Sequence, residues 1–192
     1  MCNGSSSHIW IFGYGSLLWK ADFPFVQKVI GYIEGFERKF WQSSEDHRGV
    51  PDNPGRVATL VEKVGGVVWG AAYKLPCDKS DEVLRHLDHR EKGGYKTMKT
   101  TFFPRDKTIP SFELLIYIGT PDNPNFIGPE TLHEISDVIV NAVGPSGPNV
   151  EYLLNLAEFV KTYIPEDKDS HLFGLEQLVR ERISTRGEYV KA

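Results

Sequence analysis

The hydrophobic and polar positions along the chain change their period after Gly119. Up to that point apolar and polar residues alternate over short runs rich in Ile, Val, Trp, Phe and Tyr, a pattern that predicts β-strands. The pair Gly65-Gly66 tolerates the positive φ of a tight turn and predicts a hairpin between the runs on either side of it. The predicted strands are 8–15, 28–42, 57–62, 67–75, 95–103 and 112–118.

Helical spacing of apolar residues marks the segment 78–92 and the last third of the chain. The segment 78–92 has acidic residues in its first turn and ends before two glycines, which are a common helix stop. Pro129 and Pro148 stand where first helical turns would begin, and Ser170 can cap a last helix. The apolar stripes of these later helices are Leu132, Ile135 and Ile139; Leu153, Leu156 and Val160; and Leu172, Leu175, Val179 and Ile183. Strands followed by helices predict an α+β protein rather than a βαβ repeat.

The composition and charge limit the class of protein. A chain of 192 residues with 40% hydrophobic and 25% charged residues is typical of a globular protein, so we predict a single domain over 1–192 with flexible ends at 1–7 and 185–192. The net charge of -4 comes without a cluster of Lys and Arg, and no apolar run approaches the roughly 20 residues that span a bilayer. We therefore expect neither nucleic acid nor a membrane as a partner. Helices of mixed charge without an obvious large apolar patch favour a monomer.

The cysteines and the N-terminal segment indicate the cellular compartment. Cys2 and Cys77 are too few for a disulfide framework and lack metal-type spacing, which fits a reducing compartment. The opening residues MCNGSSSHIW contain neither the basic region nor the apolar region of a secretory signal. We therefore expect the protein in the cytosol.

The segment FGYGSLLW, where a predicted strand runs into glycines, is a first candidate for chemistry. A dinucleotide-binding GxGxxG pattern would need a glycine where Leu18 stands, and Ser16 lies outside a GxSxG nucleophile elbow. Gly13 and Gly15 on either side of Tyr14 permit a tight turn whose backbone N–H groups converge on an anionic group. The alternative is a strand end that needs glycine only for a bend.

A second candidate is an acidic residue near the end of the first predicted helix. At about 100° per residue, Glu91 falls between the directions of Leu84 and Leu87 on the apolar stripe. Burial there would raise the pKa of a carboxyl group toward the range of a general base. Alternatively, Glu91 accepts hydrogen bonds or pairs with Arg56 or Arg90, a structural role that perturbs a pKa as well.

Other polar residues near these segments carry weaker signals. His86 and His89 are three residues apart on the first helix, but a third ligand at metal-type spacing is missing, so we expect no metal site. Tyr95 would begin a strand just after the two glycines, where tyrosines serve packing as well as catalysis. His47 lies in the polar loop 43–56, either at a site or as a hydrogen-bonded anchor of the loop.

Several longer motifs occur together along the chain. They are FGYGSLLW, DHRGVPDNPGRVATLVE, VVWGAAYKL, LDHREKGGY and YIGTPDNPNFIGP. In this order and spacing, from about Trp10 to Ile183, the chain closely resembles the ChaC family of gamma-glutamylcyclotransferases. Its short length resembles the shorter of the animal cytosolic glutathione-specific forms.

The resemblance implies a fold, a reaction and a set of site residues. It implies a small mixed β-barrel with peripheral helices, no metal or organic cofactor, and glutathione as the small-molecule substrate. Glutathione would be converted to 5-oxo-L-proline and L-cysteinylglycine by attack of the glutamyl α-amine on the γ-carbonyl carbon. From the matching motifs, Glu91 is the expected catalytic acid and base. The expected substrate-binding loop is Ile11, Phe12, Gly13, Tyr14, Gly15, Ser16 and Leu17.

Further residues and other functions stay open at this point. Arg48 and Arg56 could pair with the glycine carboxylate of glutathione, on the basis of charge alone. Tyr95 and Tyr117 are possible additional site residues. Other γ-glutamyl amino acids or amines are alternative substrates, and a non-catalytic module that binds an anionic ligand through the same turn is an alternative function.

Overall fold

A computed structural model of the chain describes residues 8–90, 95–119, 122–185 and 187, without the side chains of His89, Arg90 and Tyr95. The strands are β1 (Trp10–Gly13), β2 (Gln27–Ser44), β3 (Gly55–Lys74), β4 (Tyr95–Pro104), β5 (Phe112–Gly119), β6 (Val143–Gly144) and β7 (Gly147–Pro148). The α-helices are α1 (Ser80–Arg90), α2 (Leu132–Asn141), α3 (Asn149–Tyr163) and α4 (Ser170–Thr185), and a 3-10 helix spans Ser16–Leu18. Among these residues, no helix is long and apolar enough to cross a bilayer.

Strands β1 to β5 close into a mixed barrel in the order β1-β3-β2-β4-β5. Antiparallel pairing joins β1 to β3, β2 to β4, and β4 to β5. The barrel closes where β1 runs parallel to β5, with Ile11 opposite Leu115. The α+β class predicted from the sequence pattern and the small mixed barrel implied by the family resemblance are therefore confirmed.

The chain divides into two compact units. The first contains the described parts of Met1–Glu37 and Leu60–Asn123, and the second contains those of Arg38–Thr59 and Pro124–Ala192. Strands β2 and β3 each contribute residues to both units. The single domain over 1–192, with flexible ends at 1–7 and 185–192, stays a prediction.

In the first unit, apolar side chains of the strands form a hydrophobic core. Its fully buried members include Ile11, Phe12, Ile33, Phe102 and Ile116. The rings of Phe12 and Phe102 pack with their centroids 5.9 Å apart. Val83 and Leu87 bury one face of α1. Because burial of such a side chain contributes about 1.5–3 kcal/mol, this face fixes the position of α1 within the unit.

The predicted hairpin between 57–62 and 67–75 is wrong, because both segments belong to the one strand β3. Gly65 has a φ of 74°, in the left-handed region that favours glycine. A Cβ atom on Gly66 would lie 2.3 Å from the carbonyl oxygen of Phe36 on β2. The glycine pair therefore serves a local irregularity inside a continuous strand, which is a second common use of glycine in sheets.

In the second unit, α2, α3 and α4 pack through the apolar stripes that the sequence predicted. The buried residues are Ile135, Ile139, Leu153, Leu156, Val160, Leu172, Leu175 and Val179. Helix α2 begins with a capping box, in which Thr131 Oγ1 accepts the Glu134 N–H and the Glu134 carboxylate accepts the Thr131 N–H. The predicted Ser170 cap of α4 was wrong by one residue, since Asp169 Oδ1 accepts the Leu172 N–H at 2.9 Å.

One buried positive charge in the second unit is held by two carboxylates. The Arg38 side chain is 1% exposed, and its Nη1 lies 2.8 Å from Asp169 Oδ2 and 3.3 Å from Asp167 Oδ2. Although burial alone lowers the pKa of Arg38, the charges of Asp169 and Asp167 raise it above its ordinary value. The guanidinium therefore stays charged, and removal of one partner would leave an uncompensated buried charge.

Candidate active site

The predicted substrate loop is a turn that leaves β1 and enters the 3-10 helix of the first unit. Strand β1 ends at Gly13, and the short helix spans Ser16–Leu18. Its hydrogen bonds begin with the Leu18 N–H, which donates to the Gly15 carbonyl oxygen at 3.0 Å. The N–H groups that precede the first bond of a helix are those that bound anions commonly take. The backbone of the turn is thus compatible with the predicted anion-binding role, which stays a prediction.

At Gly13 the chain has no room for a side chain. A Cβ atom there would lie 2.8 Å from Leu17 Cβ and 3.1 Å from Tyr73 Cε2. Gly13 is not among the described glycines with positive φ. Its role is therefore close approach, which lets the turn fold back against the end of β1.

The loop residues differ in how much of each is exposed. The buried side chains are those of Ile11, Phe12, Tyr14 and Leu17. Gly15 and Ser16 are half-buried. Because Ile11 and Phe12 belong to the hydrophobic core, they can meet a ligand only through their backbone. Gly15 and Ser16 are therefore the loop residues most accessible to a ligand.

Two tyrosine hydroxyls link this turn to β5 and to α1. The Tyr14 hydroxyl donates to the Tyr117 carbonyl oxygen at 2.6 Å, and the Tyr117 hydroxyl donates to Asp88 Oδ1 at 2.9 Å. Tyr14 and Tyr117 are buried, whereas Asp88 is exposed on α1. Asp88 stands three positions before residue 91 in the sequence. The link therefore ties the turn to the end of the helix that leads to the predicted catalytic acid.

A third tyrosine, Tyr73 on β3, also holds the turn. Its hydroxyl donates to the Leu17 carbonyl oxygen at 2.6 Å, and burial raises the pKa of that hydroxyl, which keeps it a donor. The ammonium of Lys28 lies 5.3 Å from the centroid of the Tyr73 ring and donates to the Leu18 carbonyl oxygen at 3.1 Å. Neither residue was among the site residues predicted from the sequence. A tyrosine inside the apolar run VVWGAAYKL is a usable signal, because a buried hydroxyl needs a partner.

Comparison with known proteins identifies the family. The sequence matches the ChaC-like protein family over residues 9–182. The chain belongs to the ChaC-like family. The family predicted from the sequence motifs is therefore confirmed.

Relatives of this ChaC-like chain cover most of its length. It is 45% identical over 172 residues to glutathione-specific gamma-glutamylcyclotransferase 1 of Danio rerio, with 88% of each chain covered. It is 40% identical over 179 residues to the Homo sapiens protein of the same name, with 92% of this chain and 81% of the human protein covered. A crystal structure of a yeast gamma-glutamyl cyclotransferase specific to glutathione matches with a TM-score of 0.84 and 31% identity, covering 91% of this chain and 96% of the yeast chain.

The predicted catalytic residue of the ChaC-like chain, Glu91, lies outside the described residues, and so does the side chain of Tyr95. The backbone of Tyr95 begins β4 opposite Gly119. The roles predicted for Glu91 and Tyr95 stay predictions. Of the remaining predicted site residues, the structure joins Tyr14 and Tyr117 directly.

Arg48 and Arg56 belong to the second unit, where each binds a carboxylate. Arg56 is paired with Glu130 through two bonds, Nε to Oε2 at 2.8 Å and Nη2 to Oε1 at 3.1 Å. Arg48 Nη1 lies 3.4 Å from Glu151 Oε2 and donates to the Pro148 carbonyl oxygen at 3.0 Å. These contacts give both arginines a structural role, and their part in substrate binding stays a prediction.

The histidines singled out by the sequence have ordinary polar contacts. His86 Nε2 lies 3.6 Å from Asp22 Oδ1 in the first unit. His47 Nδ1 lies 3.4 Å from Ser146 Oγ in the second. Within the described part of the chain, no group of three or more His, Cys, Asp or Glu side chains is placed to hold a metal ion.

Proposed function

We propose that this protein is a lyase, a glutathione-specific gamma-glutamylcyclotransferase that converts glutathione to 5-oxo-L-proline and L-cysteinylglycine. The observation that carries the proposal is the hydrogen-bonded link from Tyr14 through Tyr117 to Asp88, which joins the glycine turn to the end of α1. The turn lies within the motif FGYGSLLW, and Asp88 belongs to the motif LDHREKGGY. The relatives in Danio rerio and Homo sapiens, both named glutathione-specific gamma-glutamylcyclotransferase 1, support the same substrate.

The reaction is an intramolecular displacement. The α-amine of the γ-glutamyl group attacks its own γ-carbonyl carbon, a new C–N bond closes the five-membered lactam, and the bond to the cysteine nitrogen breaks. The α-ammonium loses two protons, and the leaving nitrogen gains two to become the ammonium of cysteinylglycine. Neither water nor an enzyme nucleophile is consumed, so the protein has to orient the glutamyl group and move protons.

Orientation is assigned to the turn between β1 and the 3-10 helix. Its N–H groups hold the glutamyl carboxylate or the oxyanion that develops on the γ-carbonyl oxygen. Tyr73 fixes the Leu17 carbonyl oxygen, and the close approach at Gly13 leaves the turn little freedom. Holding the γ-glutamyl group of the substrate in a ring-closing conformation can lower the activation barrier of such a reaction by about 7–11 kcal/mol.

Proton transfer is assigned to Glu91. Its carboxylate takes a proton from the α-ammonium, because a protonated amine has no lone pair, and the resulting acid protonates the leaving nitrogen. The support is the spacing on α1. Ser80, Val83 and Leu87 are buried along one face, and position 91 follows Leu87 by the four residues that return a helix to the same face.

The protein acts in the cytosol as a monomer and without a cofactor. The support for the compartment is the pair of cysteines without disulfide or metal spacing, Cys2 and Cys77. The support for a monomer is the mixed charge of the predicted helices. Light scattering of the eluting peak in size-exclusion chromatography tests the oligomeric state, and a mass of twice the chain would contradict the monomer.

The reaction is tested on the purified wild-type chain. The protein is incubated with millimolar reduced glutathione and a chelator, and both products are quantified by mass spectrometry over time. Equal amounts of 5-oxoproline and cysteinylglycine are expected. Free glutamate with cysteinylglycine would indicate hydrolysis instead and contradict the proposal. No product from the folded protein would also contradict it, and a panel of other γ-glutamyl amino acids and amines would then separate a different substrate from a binding module.

A further inference from the structure

We infer that Tyr73 is a positioning residue, whose hydroxyl sets the affinity of the turn 13–17 for the carboxylate of the γ-glutamyl group. The inference deepens the proposed function and rests on it. Tyr73 lies fully buried on β3 in the first unit, and it contacts both ends of this turn, Gly13 and Leu17.

Two hydrogen bonds in series connect the Tyr73 hydroxyl to the middle of the turn. The hydroxyl donates to the Leu17 carbonyl oxygen at 2.6 Å. That carbonyl shares a planar peptide group with the Leu18 N–H, which donates to the Gly15 carbonyl oxygen at 3.0 Å. The Gly15 carbonyl belongs in turn to the peptide group that joins Gly15 to Ser16, the loop residues most accessible to a ligand. Because peptide groups are rigid and hydrogen bonds in series strengthen each other, the Tyr73 hydroxyl orients this accessible peptide group.

The ring of Tyr73 is packed so that its hydroxyl keeps one direction. Phe23 and Phe25, from the segment between the 3-10 helix and β2, form T-shaped pairs with it, with ring centroids 5.6 Å and 5.1 Å away. At the start of the turn, Tyr73 Cε2 lies 3.1 Å from the place that a Cβ atom on Gly13 would take. A ring held by these contacts directs its hydroxyl to Leu17 before any substrate binds.

Of the two groups that the turn is proposed to hold, the glutamyl carboxylate is the one that Tyr73 affects more. A carboxylate carries a full negative charge from the moment of binding, and hydrogen bonds to a full charge are the strong ones. Because this charge is the same before and during the attack, a misaligned turn weakens the binding of substrate and transition state alike. Loss of the Tyr73 hydroxyl is therefore expected to change KM rather than kcat.

The test uses Tyr73→Phe, which keeps the ring and removes only the donor. The matched control is Tyr32→Phe, which removes the hydroxyl of a half-buried tyrosine on β2 of the same unit, where its ring packs on Trp69 and Phe103. The values of KM and kcat are measured for glutathione and for 4-aminobutanoyl-cysteinylglycine. This analogue has a hydrogen atom in place of the glutamyl carboxylate and keeps the amine, so the same displacement closes it to a lactam.

Tyr73→Phe is expected to raise KM for glutathione about fivefold, with kcat within about twofold of the wild-type value and kcat/KM for the analogue nearly unchanged. Tyr32→Phe should match the wild type with both substrates. A merely structural role would lower kcat through loss of folded protein and leave KM unchanged, because KM does not depend on the amount of active enzyme. That result would overturn the inference, as would an equal loss of kcat/KM with the two substrates.

Phe25→Ala is the second variant and decides the matter if Tyr73→Phe does not fold. It removes an exposed ring that supports the Tyr73 ring, so KM for glutathione should rise about two- to threefold at unchanged kcat. In that case a wild-type KM in Phe25→Ala would overturn the inference. Failure of the folded wild type to cyclise glutathione would instead contradict the proposed function.

Discussion

The Tyr117 hydroxyl donates a hydrogen bond of 2.9 Å to Asp88 on α1, while the Tyr117 carbonyl oxygen accepts the Tyr14 hydroxyl at 2.6 Å. One residue of β5 therefore contacts both the turn that is proposed to orient the substrate and the helix that leads to the proposed acid and base. The relative position of these two elements depends on side chains from three distant parts of the first unit.

The bond between Tyr117 and Asp88 predicts coupled effects of mutation. Tyr117→Phe and Asp88→Asn should each lower kcat/KM about fivefold, because each weakens the same attachment of α1 to β5. The double variant should be no worse than the stronger single one, since residues that share one hydrogen bond are not additive. Steady-state kinetics of the four proteins measure this coupling, and losses that simply multiply would contradict the role of the bond.

The close approach at Gly13 predicts that even one added methyl group is harmful. Gly13→Ala places Cβ against Leu17 and Tyr73, so we expect the turn to shift and the free energy of unfolding to fall by about 1–3 kcal/mol. Because a shifted turn misplaces the substrate, kcat/KM should fall about tenfold or more. Urea denaturation and product formation measure the two effects. If Gly13→Ala had the wild-type free energy of unfolding and the wild-type kcat/KM, the turn would have room for a side chain and the prediction would be wrong.

Much of the fold follows from local patterns. The stripes Leu153, Leu156, Val160 and Leu172, Leu175, Val179 are buried as their spacing predicts, because helical periodicity is set by residues close in sequence. The glycine pair in β3 was misread as a hairpin turn. Gly-Gly serves both a tight turn and an irregularity inside a strand, and only the neighbouring strand β2 decides between them.

The candidate site was predicted less completely, for a physical reason. The glycine turn and Glu91 could be proposed from the sequence because their signals are local, namely two glycines close together in one case and a position on a helical stripe in the other. Tyr73 and Lys28 were missed. The partner of Tyr73 in the turn is 56 positions away, and the partner of Lys28 at the end of the 3-10 helix is 10 positions away. Pairing over such distances is created by the barrel and leaves no periodic trace in the sequence.

The buried cluster around Arg38 predicts a large loss of stability on mutation. Arg38→Met keeps an apolar stem but leaves Asp167 and Asp169 without their cation, which typically costs about 3–5 kcal/mol. Arg48→Met is the matched control in the same unit. The side chain of its partner Glu151 is 53% exposed, so we expect Arg48→Met to lower the free energy of unfolding by about 1 kcal/mol or less. Equal free energies of unfolding for the two variants in urea would contradict the importance of the cluster.

The capping box of α2 predicts a specific acid sensitivity. The Thr131 backbone N–H, and then its hydroxyl, hold the pKa of Glu134 below its ordinary value. Ionised Glu134 therefore stabilises the fold above its unfolded-state pKa of about 4.3, and this contribution is lost as the pH falls through the lower folded-state pKa.

Glu134→Gln keeps an acceptor but cannot titrate. The difference in the free energy of unfolding between pH 7 and pH 3 should therefore be smaller in this variant than in the wild type. Glu82→Gln, on exposed Glu82 of α1, is the control and should not reproduce this reduction. Identical pH profiles for Glu134→Gln and the wild type would contradict the prediction.

The central claim is that Glu91 moves the protons of an intramolecular cyclisation. The most direct test is the rate of 5-oxoproline formation from glutathione by Glu91→Gln, beside the wild type and Glu82→Gln as the control on the same helix. General base catalysis supplies about 10²–10⁴-fold, so Glu91→Gln should lose at least about 100-fold in kcat while it unfolds at the same urea concentration as the wild type. Turnover by a folded Glu91→Gln within about a factor of two of the wild-type rate would contradict the claim.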